Sequence, residues 1–185
     1  MSDDSDELED LRQWVADAVA SEAATSRSRA RALLQQASED ATFVGTLVDL
    51  AERGEELSVV TAAQSTVVGR IAAVGRDFVA ILGRSGRTSF VPHRAIGAVR
   101  SQPDTRIAVV AGERTAPLET SLAAVVSELA AERMRVHVTT LGQSVAGQLR
   151  ASGDDVLVVL PEGAQPVPTY VPLASVVELA VNDLL

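Results

Sequence analysis

The apolar residues near the start of the chain are spaced as on one face of a helix. Six of them share a single stripe: Leu8, Leu11, Trp14, Val15, Ala18 and Val19. With Ser5 as a potential N-cap and acidic residues in the first turn, this pattern predicts an amphipathic helix over about residues 6–23. A second helix is predicted over about residues 27–37, and a third over about residues 40–53, where Gly54 provides the C-cap.

From Leu57 onward the apolar spacing changes from helical to alternating, which is typical of strands. Turn residues divide the following segment into five short predicted strands: residues 57–61, 66–74, 77–82, 88–91 and 96–99. Pro92 cannot donate a backbone hydrogen bond and should mark a turn between the last two strands. Five strands this short bury an interior only by bending into a small barrel, so Gly69 and Gly75 are expected at the points of tightest curvature.

This unit of one helix and five strands occurs twice, from about residue 39 to 100 and from about residue 119 to 180. Four residues match at a constant separation of 78 positions: Gly69 with Gly147, Gly75 with Gly153, Asp77 with Asp155 and Leu82 with Leu160. Near the end of each unit, residues 89–92 match residues 169–172 at a separation of 80. A repeat of this kind predicts two similar structural units in one chain.

The repeat divides the chain into four segments. They are an N-terminal helical extension (1–38), a first domain (39–103), a linker (104–117) and a second domain (118–185). A domain of about 60 residues is only marginally stable when it folds alone. We therefore expect the two domains to pack against each other or against a partner chain.

The order of elements in each unit resembles the Sm-like family, and specifically its bacterial Hfq branch. The resemblance covers about 60 residues of each repeat and rests, in the first repeat, on residues 40–43, Leu47, the strand from Leu57, residues 69–71, residues 77–82 and residues 90–99. It implies a mainly β fold with two tandem Sm-like domains, each a helix followed by a five-stranded, strongly bent antiparallel barrel. Members of this family commonly assemble into rings through their fourth and fifth strands, and they bind RNA.

The resemblance also implies a nucleic-acid site in the first repeat. His93 and Arg94 stand where Hfq has a lysine and a histidine, and Asp77 and Phe78 stand where it has a glutamine and a phenylalanine. A stacking ring beside cationic groups suits a single-stranded base and its phosphate, so we expect RNA contacts from Arg76, Phe78, His93 and Arg94. The second repeat has lost this chemistry, since the counterparts are Asp155, Val156, Leu173 and Ala174.

Charge is unevenly distributed along this chain of 185 residues, whose net charge is −9. Residues 1–24 carry a net −7, residues 41–100 a net +2 and residues 118–185 a net −5. Only the first repeat can face a polyanion without general repulsion. No apolar stretch reaches the roughly 18–20 residues that span a bilayer, and the acidic N-terminus is unlike a secretory signal, so we expect a cytoplasmic protein without a membrane partner.

The residue types needed for catalysis or metal binding are not grouped in the sequence. There is no cysteine, and the two histidines, His93 and His137, have no second ligand at a useful spacing. Asp154 and Asp155 are adjacent turn or strand residues, and side chains at adjacent positions point to opposite sides, which does not suit general acid–base catalysis. We therefore expect no catalytic residues, no metal and no cofactor.

Three functional hypotheses follow from the sequence. The first is a non-enzymatic binding or scaffold module that acts through protein–protein assembly, as a homo-oligomer or with a protein partner. The second is weak binding of single-stranded RNA, and not of DNA, by the first repeat. The third is a barrel of the PRC type, as in ribosome-maturation factors, because a Val-Pro pair precedes Ile96 and Val176; it would imply a ribosome or protein partner. The edges of two paired barrels are expected either to close a ring of three chains or to be capped by the linker or the helices.

Overall fold

The computed structural model of the chain describes residues 22, 25–33, 35–36, 42–101, 118–163 and 165–182. Within the N-terminal extension, residues 22, 25–33, 35 and 36 are helical, which agrees with the second predicted helix. Apart from residue 22, the predicted helix over residues 6–23 lies outside the described residues, as does the predicted linker 104–117. None of the helices in the described part is long and apolar enough to cross a membrane.

Each repeat begins with a helix that its own residues cap. Helix α1 spans Phe43–Arg53, and its N-cap Thr42 accepts a hydrogen bond from the Gly45 amide at 3.0 Å. The predicted C-cap Gly54 is confirmed, because it adopts the left-handed conformation with φ of 63°. Helix α2 spans Leu122–Ala131, with Ser121 as its N-cap.

The described residues form ten strands, five after the helix of each repeat. We call residues 42–101 the first half and residues 118–182 the second half. The strands of the first half are β1 (Glu56–Thr61), β2 (Thr66–Val74), β3 (Phe78–Leu82), β4 (Thr88–Pro92) and β5 (Ile96–Ser101). The strands of the second half are β6 (Arg135–Thr140), β7 (Ser144–Ser152), β8 (Val156–Pro161), β9 (Thr169–Pro172) and β10 (Val176–Val181). A 3-10 turn separates the last two strands of each half, at His93–Ala95 and Leu173–Ser175.

All ten strands form one antiparallel sheet in the order β5-β1-β2-β3-β4-β10-β6-β7-β8-β9. The two halves have the same internal order, with the fifth strand at one side and the fourth at the other. The prediction of a mainly β fold with helices is confirmed. The structure differs from the predicted pair of barrels, because the sheet runs continuously from one half into the next and does not close.

Each half bends where its second strand changes partner. Strand β2 pairs with β1 through Arg70 and then with β3, and Gly69 lies beside this crossing. A Cβ atom at Gly69 would overlap the carbonyl group of Leu82, and one at Gly147 would overlap that of Leu160. Both glycines are therefore required by the close approach of two backbones, in line with the expected bend at Gly69.

The apolar faces of the sheet and helices bury two clusters of side chains. The first cluster is built around Leu47, Leu57, Val59, Ile71, Val79, Ile81 and Val91. The second cluster is built around Leu122, Val126, Val138, Leu149, Leu157, Val159 and Leu179. Strands such as β1 and β6 alternate between buried and less buried positions, whereas β3, β4 and β10 are buried on both faces.

Candidate assembly interface

Within the described residues, one pair of named strands joins the two halves, and we call this pair the internal joint. Strand β4 of the first half runs antiparallel to β10 of the second, with Phe90 opposite Leu179 and Thr88 opposite Val181. This pairing satisfies backbone groups that would otherwise lie at a sheet edge. The joint therefore turns two five-stranded sheets into one.

Apolar side chains at the internal joint cross from each half into the core of the other. Phe78, Ala80 and Phe90 belong to the first half by sequence, yet they pack within the core of the second half. Val177 does the reverse and packs within the core of the first half. The rings of Phe78 and Phe90 meet edge to face, with centroids 5.7 Å apart. Each half thus completes the core of the other.

A buried carboxylate lies in the middle of this apolar contact. Glu178 on β10 is only 6% exposed, and its Oε1 accepts a hydrogen bond from Ser89 Oγ at 2.8 Å. Arg87 Nη2 lies 3.2 Å from the same oxygen and forms an ion pair with it. Because both partners of Glu178 come from the other half, its charge is compensated only while the joint is closed.

Further polar contacts join the halves beside the paired strands. The Arg94 guanidinium donates to the carbonyl oxygens of Leu173 at 2.6 Å, Ala174 at 3.2 Å and Val176 at 3.3 Å, around the second 3-10 turn. Near the same end of β4, Asp77 Oδ1 accepts a hydrogen bond from the Leu122 amide at 2.8 Å. That amide is the first of helix α2, so Asp77 satisfies a helix N-terminus that belongs to the second half.

The four residues predicted to contact RNA differ in burial and in their partners. Phe78 is 3% exposed within the second core, so its ring has no free face on which a base could stack. Arg94 is exposed, but its guanidinium is bound to backbone carbonyls. Arg76 is exposed beside the turn that precedes β3, where its amide donates to the Thr120 carbonyl. The resemblance to Hfq grouped these side chains in one pocket, but at least Phe78 and the Arg94 guanidinium are engaged within the protein.

His93, the fourth predicted RNA residue, is half-buried against the turn before β3. Its backbone amide donates to the Asp77 carbonyl at 2.9 Å, and its Nε2 is buried without a hydrogen-bond partner. Burial lowers the pKa of His93 below the ordinary value of 6.5, although a hydrogen bond to the Phe78 backbone and the charge of Asp77 act in the opposite direction. Burial therefore disfavours the cationic form of the imidazole.

We expect this burial to make stability depend on pH in mildly acidic solution. Because the pKa of His93 is lower in the folded state, the unfolded state binds the proton first, and the free energy of unfolding falls as the pH drops through about 6.5. The substitution His93→Leu introduces the residue type found at position 173. It should make the free energy of unfolding, measured with urea, depend less on pH between 7.5 and 5.5. If the free energy of unfolding depended on pH in His93→Leu and His93→Gln as it does in the wild type, burial of His93 would not be the cause.

The strands at the two ends of the sheet, β5 and β9, are the counterparts of β10 and β4, which pair at the internal joint. Within the described part of the chain, β5 pairs with β1 alone and β9 with β8 alone. Tyr170 on β9 is 70% exposed, whereas its counterpart Phe90 is 5% exposed. Phe43 at the start of α1 is 47% exposed, whereas its counterpart Leu122 is 1% exposed. We call β5 and β9, with these two aromatic side chains, the outer edges.

Sequence reasoning missed Glu178 and the role of Arg94, which define the polar part of the joint. Glu178 is the one charged residue in the apolar strand Val176–Val181, and position 98 of the first repeat has alanine. The sequence signal for Glu178 was a single charged residue in an apolar strand, present in only one of the two repeats. Among the described residues, no group of three or more His, Asp or Glu is placed to hold a metal ion.

Comparison with known proteins gives no family assignment. Neither a scan against protein-family models nor a search of curated proteins found a match to this chain.

Proposed function

We propose that the protein is a non-enzymatic assembly module of the Sm-like class, and that its chains associate head to tail through the outer edges. The internal joint carries this proposal. It pairs the fourth strand of one half with the fifth strand of the other, and Sm-like proteins commonly assemble through those two strands. The helix that precedes each set of five strands supports the Sm-like class over a PRC barrel.

The outer edges supply both partners of a second joint of the same type. Strand β9 is the fourth strand of the second half, and β5 is the fifth strand of the first. By analogy with Phe90 and Leu122, Tyr170 of one chain would pack beside Phe43 of the next. One exposed apolar side chain is tolerated on a surface, but Tyr170 and Phe43 are the counterparts of Phe90 and Leu122, which are buried, and this supports mutual burial.

The position of Asp155 also supports head-to-tail association of the chains. Its counterpart Asp77 accepts a hydrogen bond from the first amide of α2, whereas Asp155 is exposed at the open end of the sheet. In a head-to-tail contact, Asp155 would meet the N-terminus of α1 in a neighbouring chain, where a carboxylate is favourable. Such a heterologous contact builds a closed ring or an open filament, depending on the rotation between chains.

Solution mass as a function of concentration tests this proposal. The wild-type chain should give a mass that is a multiple of 19.4 kDa. The variant Tyr170→Asp, and separately Phe43→Asp, should weaken association by about 100-fold or more, because a charge enters an apolar contact. The matched control Val68→Asp, at a half-exposed site on β2 away from both edges, should leave association unchanged.

A chain that stays at 19.4 kDa at high concentration would refute head-to-tail association. So would a Tyr170→Asp variant that associates as well as the wild type.

Binding of single-stranded RNA has less support. Four of the seven arginines of the first half are already engaged: Arg53 with Asp49, Arg84 with Glu56, Arg87 with Glu178, and Arg94 with backbone carbonyls. Affinity for a polyanion grows with the number of phosphates neutralised, so these partners reduce the available attraction. Absorbance at 260 and 280 nm on the sample used for mass measurement tests this alternative, because co-purified nucleic acid would support it.

A further inference from the structure

The outer edges lack the charged residues that join the two halves internally. Because the repeats align, each residue of the joint has a counterpart at an outer edge: Val167 for Arg87, Thr169 for Ser89, Ala174 for Arg94 and Ala98 for Glu178. The alignment also holds structurally, since Glu178 and Ala98 both follow a register shift at the start of the last strand of their half. The internal joint is thus polar at its centre, and the outer edges are apolar at the same places.

We infer that Arg87, Arg94 and Glu178 are specificity-determining residues, which prevent an outer edge of another chain from replacing β4 or β10 in the internal joint. The inference rests on the proposed head-to-tail association. Its consequence is that chains join end to end without exchanging halves.

The first incorrect pairing would place β9 of another chain against β10. Glu178, which is 6% exposed in the internal joint, would then face Val167 instead of Arg87. Thr169 still offers a hydroxyl group, but no cation is available for the carboxylate, and the carbonyl groups around the second 3-10 turn would lose the Arg94 guanidinium. Leaving one buried charge unpaired is strongly unfavourable, so this pairing is rejected.

The second incorrect pairing would place β4 of another chain against β5. Arg87 would face Ala98 and lose its carboxylate partner, and Ser89 would lose the acceptor that it now holds at 2.8 Å. The pairing of β9 with β5 has neither fault, because Val167, Ala174 and Ala98 are all uncharged. Of the four possible strand pairings, β4 with β10 is therefore matched by polar contacts and β9 with β5 by apolar contacts.

The net charges of the two halves favour the same two pairings through long-range electrostatics. Residues 41–100 carry a net +2 and residues 118–185 a net −5. Like halves therefore repel and unlike halves attract during encounter. Both matched pairings join unlike halves.

Charge substitutions at the outer edges test the inference, with the dissociation constant measured by sedimentation equilibrium on the full chain. The variant Ala98→Glu should weaken association by about tenfold or more, because a carboxylate is buried opposite Val167 without a cation. Adding Val167→Arg should restore association to within about threefold of wild type, because it recreates the pair of Arg87 and Glu178. Ala98→Gln controls for side-chain size, and Ala124→Glu, at an exposed site on α2, controls for added charge.

An Ala98→Glu variant that associates like wild type, or one that Val167→Arg does not rescue, would overturn the inference while leaving the proposed function intact. A wild type that never associates would refute the proposed function and, with it, the discrimination between chains.

The internal joint gives a readout that does not depend on association. A double-mutant cycle with Arg87→Ala and Glu178→Gln should show a coupling of about tenfold in the unfolding equilibrium of the dilute chain. A coupling near unity would overturn the assignment of these two residues, whatever the mass of the wild type.

Discussion

The substitution Phe90→Ala should lower the free energy of unfolding by about 3–5 kcal/mol, the usual cost of removing a buried phenylalanine ring. Phe90 is 5% exposed and packs in the core of the second half, although it belongs to the first. Its loss leaves a cavity beside Phe78, which it meets edge to face. For a chain of this length the melting temperature should fall by roughly 10 °C.

The repeat provides a matched control for Phe90→Ala. Tyr170 occupies the equivalent position on β9 and is 70% exposed, so Tyr170→Ala should change the stability of the dilute chain by less than about 0.5 kcal/mol. Hydrogen exchange gives a second readout, since Phe90→Ala should reduce protection in α2 as well as in β4. Two separate unfolding transitions, with only the first half affected, would show that the halves do not share their cores.

Replacing either glycine at the bends should destabilise the protein by about 3 kcal/mol, at the upper end of what overpacking costs. A Cβ at Gly69 or Gly147 meets the backbone of the neighbouring strand, at Leu82 or Leu160, and a backbone cannot move aside as a flexible side chain can. We therefore expect Gly69→Ala and Gly147→Ala to have similar effects, measured by urea unfolding.

Gly142 in the turn between β6 and β7 is the control for these glycines. No atom lies within 4 Å of a Cβ built there, so Gly142→Ala should be neutral within about 0.5 kcal/mol. Equal stability of Gly69→Ala and Gly142→Ala would mean that the strands can separate at the bend, contrary to the close approach described above.

Much of the local structure could be predicted from the sequence, because its causes are local. The alternation from Leu57 and the turn residues around Pro92 gave strands whose ends lie within two residues of those observed. Gly54 as a C-cap also follows from its own conformational freedom. Comparison of the two repeats correctly predicted a helix before each set of strands.

The single sheet and the role of Phe78 could not be predicted in this way. The pairing of β4 with β10 joins Phe90 to Leu179, and nothing in either strand alone specifies that partner. An aromatic residue in a strand gives the same sequence signal whether it faces solvent or a neighbouring core. Arg94, which differs from its counterpart Ala174, contacts the other half, but its partners are backbone carbonyls, which no side-chain pattern reveals.

The peptide connection between β5 and α2 makes the internal joint independent of protein concentration. Two segments on one chain experience an effective concentration that reaches the millimolar range for short flexible connections. A contact formed under those conditions can include a carboxylate as costly to bury as that of Glu178. Contacts between separate chains have no such advantage, so dilution should release intact single chains, each with its two halves still paired.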